Sequence, residues 1–205
     1  MRNPYLLAIA FVAVLLPGCN QVLFFGAKQD LPVVIDAAIA SGADIDARDD
    51  LGFTALHWAI KEGSTPAAML LLDSRASANL ATRTGATPLQ LAASAGNVDV
   101  MVNLIAKGAN LDSRNEDGWT ALHFAVARGQ CTAAALLMQR GARIDLQTNR
   151  LKTPLYLAVE GSQADCVRLL LHYGANPNVP DENGVTPRQL SLKSEKRDIM
   201  RMLGR

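Results

Sequence analysis

An all-α fold built from repeated pairs of helices is predicted by three observations. Apolar residues form 49% of the chain and aromatic residues only 5%, which suits closely packed helices rich in alanine and leucine. The apolar positions recur at the spacing of a helix face. A four-residue box recurs every 33 residues without insertion, beginning at Thr54, Thr87, Thr120, Thr153 and Thr186. One helix pair cannot bury its apolar face alone, so we expect neighbouring pairs to stack.

Each box is predicted to open the first helix of a pair. The threonine acts as the N-cap, and alanine or proline takes the first helical position. Leu56 and Ala59 lie three residues apart and therefore share a face. A second helix follows, and its apolar stripe is represented in one repeat by Ala67, Ala68, Leu71 and Leu72. Both helices of a pair thus turn an apolar side toward their neighbours.

Glycine and short polar residues mark the turns between these helices. A tight turn that favours positive φ precedes each box, and a left-handed helix end follows the second helix. The tight-turn position holds Gly52, Gly85, Gly118, Leu151 and Gly184; the helix end holds Gly42, Gly108, Gly141 and Gly174, with Arg75 as the exception; a third position holds Asp46, Asn79, Asp112, Asp145 and Asn178. Agreement at several positions makes the period specific.

The boxes identify a known repeat. Thr54-Ala55-Leu56-His57, Thr87-Pro88-Leu89-Gln90, Thr120-Ala121-Leu122-His123, Thr153-Pro154-Leu155-Tyr156 and Thr186-Pro187-Arg188-Gln189 resemble the T-P-L-H box of ankyrin repeats. The resemblance runs from about Leu31 to the end of the chain. It implies an all-α ankyrin-repeat solenoid of helix-turn-helix units joined by short β-hairpin-like loops.

The N-terminal residues follow a targeting pattern. Arg2 is the only charge before Lys28, and the apolar run from Leu6 to Leu16 is too short for the roughly 20 residues that span a bilayer. It matches the apolar segment of a signal peptide. The run ends in Leu16-Pro17-Gly18-Cys19, which resembles a bacterial lipobox, although Pro17 departs from the small or branched residues usual there. The alternative is an ordinary secretory signal that contains a cysteine.

The lipobox resemblance implies lipidation of Cys19 and a position on the periplasmic side of the bacterial envelope. Its acyl chains would anchor the protein to a membrane, since each buried CH₂ contributes about 0.8 kcal/mol. Asn20 follows the cysteine where, in the enterobacterial sorting rule, an aspartate favours inner-membrane retention. The absence of aspartate favours the outer membrane.

These patterns divide the chain into three parts. Residues 1–18 are the predicted signal peptide, 19–30 the lipidated cysteine with a spacer, and 31–205 the repeat domain. The repeat domain divides into an N-terminal capping helix (31–48), full repeats (49–81, 82–114, 115–147 and 148–180) and a C-terminal capping repeat (181–205). A polar outer face on the closing repeat is predicted from Lys193, Glu195, Lys196, Arg197, Asp198 and Arg201.

No arrangement of residues in the sequence indicates catalysis or metal binding. His57 and His123 occupy the box, where the resemblance implies hydrogen bonds to a neighbouring turn, and His172 is expected to face solvent. The zinc, nucleophile-elbow and phosphate-loop motifs are missing. We therefore expect a non-enzymatic protein with no catalytic, cofactor-binding or metal site and no small-molecule substrate. A net charge of +1 also argues against a nucleic-acid partner.

Two cysteines remain after Cys19. Cys166 takes a core position, whereas Cys131 lies two places earlier in the repeat. Helices pack with axes about 8–10 Å apart, and bridged Cα atoms lie within about 7 Å. We therefore expect no disulfide between Cys131 and Cys166.

The protein is expected to be a monomer.

The remaining functional feature is a protein-binding surface. In ankyrin repeats, partners dock on the hairpin tips and the exposed side of the first helices, which form a concave face. The predicted partner-binding residues at those positions are Phe53, Lys61, Glu62, Trp119, Arg128, Asn149 and Lys152. Trp119 with Arg128 and Lys152 is the preferred patch, because Trp and Arg are enriched at binding hot spots. Alternatively, the tip aromatics only pack on the next hairpin. Trp58 and Phe124 are expected in the core.

Three functions compete on this sequence. The first is a membrane-anchored module that binds a protein partner in the envelope. The second is an accessory or immunity factor that stabilises or inhibits a specific enzyme or toxin through the same surface. The third is a hydrolase or redox protein on a repeat scaffold, which would need His123 or Cys131 for activity; we expect no such activity.

Overall fold

The computed structural model describes residues 18–193 and 197–204, and within these ranges it contains helices and turns but no strand. The predicted all-α class is confirmed. The helices of the described residues are α1 (Cys19–Lys28), α2 (Pro32–Ala40), α3 (Ala55–Lys61), α4 (Thr65–Asp73), α5 (Pro88–Ala95), α6 (Val98–Ala106), α7 (Ala121–Ala127), α8 (Cys131–Gln139), α9 (Pro154–Glu160), α10 (Ala164–His172), α11 (Pro187–Lys193) and α12 (Arg197–Leu203). The predicted signal peptide, apart from Gly18, lies outside the described residues.

The helices belong to two compact units. Unit 1 contains the described residues up to Pro88 together with Val102–Ala109. In it, α1 packs on α2 and on α3, α3 packs on α4, and α2 packs on α4. First helices therefore form one layer and second helices another. Their shared core includes Leu23, Ile35, Leu56 and Leu71, all fully buried.

Unit 2 contains Leu89–Met101 and the described residues from Asn110 onward, and it repeats the same packing. The first helices α7, α9 and α11 follow one another in one layer, and the second helices α8, α10 and α12 in the other. At the closing pair, Arg197, Asp198 and Arg201 are exposed while Ile199 and Leu203 are buried. Glu195 and Lys196 lie outside the described residues.

The predicted spacer over 19–30 is wrong, because Cys19–Lys28 is a helix of the stack. Leu23 and Ala27 on this helix are fully buried. Gly26 permits the close approach to α2, since a Cβ there would lie 3.0 Å from Cγ1 of Ile35. The capping segment is thus a helix pair, α1 with α2, and not the lone helix predicted over 31–48.

The threonine boxes cap the first helices as predicted, since Oγ1 of Thr54 accepts a hydrogen bond from the backbone N–H of His57 at 3.4 Å. The backbone N–H of Thr120 donates to Nδ1 of His123 at 3.1 Å, and Nε2 of the same ring lies 3.2 Å from the Lys152 carbonyl in the next repeat. His57 makes the equivalent contact with the Thr54 N–H at 3.1 Å. His172 is exposed. The box histidines are therefore structural hydrogen-bonding groups.

The recurring aspartates join consecutive repeats. Oδ1 of Asp46 accepts a hydrogen bond from the backbone N–H of Ser77 at 2.9 Å, and Oδ1 of Asp112 accepts one from Arg143 at 3.0 Å. Asp145 receives the Asn176 N–H in the same way. Short polar side chains at turns usually bond nearby backbone groups, but these carboxylates bind backbone about one repeat further on. They therefore help to fix the spacing between repeats.

Cys131 and Cys166 form a disulfide, so the expectation that they would not pair is wrong. Their Cα atoms are 5.2 Å apart. The expectation compared the distance between helix axes with a distance between Cα atoms. A Cα atom lies about 2.3 Å off its helix axis, so two Cα atoms that face each other are several ångströms closer than the axes. The bond joins the start of α8 to α10.

Loss of this disulfide is expected to lower the free energy of unfolding by about 4 kcal/mol, because it removes a crosslink from the unfolded chain. The bond closes a loop with a sequence separation of 35. Urea unfolding of a Cys131→Ala/Cys166→Ala variant should show a lower midpoint than the native protein. Native protein unfolded in the presence of a reducing agent serves as the control and should show a midpoint close to that of the double variant. An unchanged midpoint for the double variant would contradict the prediction.

Among the described residues, every helix is too short or too polar to cross a lipid bilayer.

Candidate protein-binding groove

The hairpin tips are tight turns closed by backbone hydrogen bonds. In unit 2, the N–H of Asn115 donates to the carbonyl of Trp119 at 3.0 Å, and the N–H of Thr148 donates to that of Lys152 at 2.9 Å. Neighbouring tips are also joined, since the N–H of Asn149 donates to the carbonyl of Asp117 at 2.9 Å. Side chains at corresponding tip positions are therefore held at a fixed spacing.

A groove of about 750 Å³ lies in unit 2 between two of these tips and the ends of two first helices. Turns 115–119 and 148–152 form one side, and the ends of α7 and α9 form the other. Its lining includes Trp119, Phe124, Arg128, Asn149, Arg150 and Lys152. Four of the predicted partner-binding residues, Trp119, Arg128, Asn149 and Lys152, are thus brought together here. The predicted residues Phe53, Lys61 and Glu62 belong to unit 1.

An aromatic pair forms the apolar wall of the groove. The rings of Trp119 and Phe124 have centroids 5.1 Å apart and are inclined by 51°. Such a tilted pair contributes about 0.5–1.5 kcal/mol beyond its buried area. Both side chains remain partly exposed. Trp119 therefore packs within its own repeat and still offers ring surface to a partner.

Of the three cationic side chains that line the groove, one forms an ion pair within the described part of the chain and two do not. Nζ of Lys152 lies 2.7 Å from Oε1 of Glu160, so this cation is neutralised within the groove. Arg128 and Arg150 are exposed and form no ion pair with any other described residue. Asp117 is the other carboxylate in the lining. The groove therefore offers two free guanidinium groups beside its aromatic wall.

A related arrangement occurs in unit 1. The rings of Phe53 and Trp58 lie 5.0 Å apart, and the indole N–H of Trp58 donates to Oδ2 of Asp49 at 2.8 Å. The ammonium groups of Lys28 and Lys61 lie 3.7 Å and 4.4 Å from the Trp58 ring centroid. Burial alone would raise the pKa of Asp49, but hydrogen bonds from the Phe53 backbone and the Trp58 indole hold it below its usual range. The carboxylate therefore stays ionised and orients the indole.

Sequence reasoning missed the second member of each aromatic pair. Trp58 and Phe124 were expected in the core, and that expectation is wrong, because both are only half-buried. Each lies five residues after a tip aromatic, on the first turn and a half of the following helix. The five-residue spacing from Phe53 to Trp58 recurs from Trp119 to Phe124, and this repetition could have indicated both aromatic pairs in the sequence. Glu62, directly after α3, is exposed.

The buried histidines are not placed for acid–base chemistry. Burial lowers the pKa of both His57 and His123 to about 4, although backbone hydrogen bonds act in the opposite direction. Both side chains are fully shielded from solvent. They are therefore neutral at pH 7 and serve to hold the first helices in place. Among the described residues there is also no cluster of three or more potential metal ligands.

The comparisons with known proteins agree with this architecture. The sequence model of the family described as "Ankyrin repeats (3 copies)" matches residues 23–115, 74–148, 99–181 and 144–204. No curated protein matches the chain significantly. Ankyrin repeats generally mediate protein–protein interactions, and proteins built from them are typically non-catalytic binding scaffolds. The overlapping matches extend from residue 23 to residue 204, so the chain belongs to the ankyrin-repeat family.

Proposed function

We propose that this chain is a non-catalytic, lipid-anchored ankyrin-repeat module that holds a protein partner on the periplasmic side of the bacterial envelope. The observation that carries the proposal is the groove of unit 2. It places the partly exposed Trp119–Phe124 pair beside the free guanidinium groups of Arg128 and Arg150. Aromatic and arginine side chains are the types most enriched among binding hot spots.

Two features support the envelope location. The disulfide between Cys131 and Cys166 is typical of proteins that mature in an oxidising compartment. The thiol of Cys19 is exposed at the first residue of α1, where it is open to modification. Asn20 at the following position favours the outer membrane. Incorporation of labelled palmitate that Cys19→Ala abolishes would support the anchor, and incorporation that survives this substitution would contradict it.

Trp119→Ala tests the binding proposal. We expect it to lower the free energy of unfolding by about 1–3 kcal/mol, less than the roughly 3–5 kcal/mol for a fully buried tryptophan, because the Trp119 ring is partly exposed. Recovery of the partner by affinity purification of the lipidated protein, followed by mass spectrometry, should fall at least tenfold. A partner with enzymatic or toxic activity that the protein stabilises or inhibits would indicate the accessory or immunity role.

Tyr173→Ala provides the matched control, since Tyr173 is an aromatic residue at the end of α10 and does not line the groove. It should leave partner recovery unchanged. A sharp fall in the thermal midpoint of Trp119→Ala would identify Trp119 as a packing residue. Equal recovery with native protein and Trp119→Ala would reject the groove as the binding site.

A further inference from the structure

Leu151 stands where the other described tips carry glycine in a left-handed backbone conformation. The corresponding residues Gly52, Gly118 and Gly184 have φ values of 76°, 77° and 75°, and Leu151 itself has a φ of 54°. This region of φ is disfavoured for a residue with a branched, bulky side chain. The side chain is nevertheless 46% exposed. A strained leucine therefore presents apolar surface to solvent.

The backbone around Leu151 does not depend on its side chain. The Leu151 N–H donates to the Thr148 carbonyl at 2.9 Å, which closes the turn. The tip is joined to its two neighbours through the Asn149 N–H, bound to Asp117, and the Arg150 carbonyl, bound to the Glu182 N–H at 3.2 Å. A glycine at position 151 would keep all of these bonds and relieve the strain. Folding therefore gains little from the leucine.

Leu151 does not itself line the groove of unit 2, but it lies between two residues that do. Arg150 and Lys152, on either side, both line the groove of unit 2. The charged residues of the lining are Arg128, Arg150 and Lys152 against Asp117 and Glu160, and Glu160 neutralises Lys152. The excess charge is positive. An exposed apolar side chain next to the unpaired Arg150 is complementary to an acidic surface that contains an apolar pocket.

We propose that Leu151 is an apolar anchor for the protein partner, and that Arg150 and Arg128 bind carboxylates of the same acidic partner segment. The inference rests on the proposed function and specifies which chemistry the groove recognises. Strain of this kind persists where surrounding structure determines the backbone, and it concentrates at functional sites. The anchor residue thus reduces folding stability slightly and contributes to binding.

The test uses the full-length protein and the partner whose recovery depends on Trp119. Leu151→Gly should weaken partner binding at least tenfold, while its thermal midpoint stays unchanged or rises by up to about 4 °C. Arg150→Ala should weaken binding and reduce its dependence on ionic strength, because it removes one screened charge contact. Binding is measured by biolayer interferometry at low and high salt.

Arg75→Gly is the matched control, because Arg75 is also a non-glycine residue with positive φ, at 70°, but lies in unit 1. It should raise the thermal midpoint without changing the dissociation constant. A Leu151→Gly protein that binds within twofold of native, or that melts at a clearly lower temperature, would overturn the anchor. Salt-independent binding would overturn the acidic partner. If no protein is recovered whose binding depends on Trp119, the proposed function is rejected, and this inference is rejected with it.

Discussion

Leu122→Asp is expected to lower the free energy of unfolding by about 5 kcal/mol or more. The Leu122 side chain is 1% exposed on α7, which packs against both α8 and α9. Removing a buried leucine side chain costs about 2–5 kcal/mol, and an unpaired buried carboxylate adds several more. Because a whole domain is stable by only about 5–15 kcal/mol, unit 2 should lose most of its folded population. Circular dichroism during urea unfolding measures the change.

Leu192→Asp is the matched control, since Leu192 is 62% exposed on α11. The same substitution there should change the free energy of unfolding by no more than about 0.5 kcal/mol, as is usual for surface sites. Similar losses for the two variants would mean that burial between first helices does not stabilise unit 2. Such a result would contradict the stacked-pair account.

Acidification from pH 6.5 to pH 4 is expected to destabilise the protein through its two buried histidines. Their pKa falls from 6.5 in the unfolded chain to about 4 in the fold, because burial disfavours the charged imidazolium. Between these pH values the unfolded state binds more protons than the folded state, so stability falls as pH falls. At 1.36 kcal/mol per pKa unit, each histidine accounts for about 3 kcal/mol across the window.

A double variant, His57→Gln/His123→Gln, isolates this effect. Glutamine occupies the same box position at Gln90, which is buried, and at Gln189, whose Oε1 accepts the Thr186 N–H at 2.9 Å. It can therefore replace the cap contact without titrating. Urea unfolding at a series of pH values should show a much flatter profile for the variant than for the native protein. Equally steep profiles would assign the acid sensitivity to other groups.

The repeat architecture could be predicted because its signals are local. A threonine N-cap, a turn with positive φ and an apolar stripe each depend on a few adjacent residues, and they recur in register. The same logic missed α1, whose helix begins without a threonine box. The signal was nevertheless present, since Leu23, Gly26 and Ala27 lie 33 residues before Leu56, Ala59 and Ile60. The core positions of the repeat therefore recur in α1, although the threonine N-cap does not.

The groove was predicted only in part, because its details depend on distances between repeats. Register places Trp119, Arg128, Asn149 and Lys152 at one surface, and the structure brings these four residues together. Sequence could not show that Glu160 neutralises Lys152 or that Phe124 completes the aromatic wall. The disulfide was missed for a related reason, since 5.2 Å between Cα atoms depends on how closely two helix faces approach.

Hydrogen–deuterium exchange with and without the recovered partner tests most directly whether the groove of unit 2 is the binding surface. The account predicts slower exchange on binding at the tips 115–119 and 148–152 and at the ends of α7 and α9. The second helices α8 and α10, in the other layer, should exchange at the same rate in both states. Protection confined to α8 and α10, with unchanged exchange at the tips, would contradict the account.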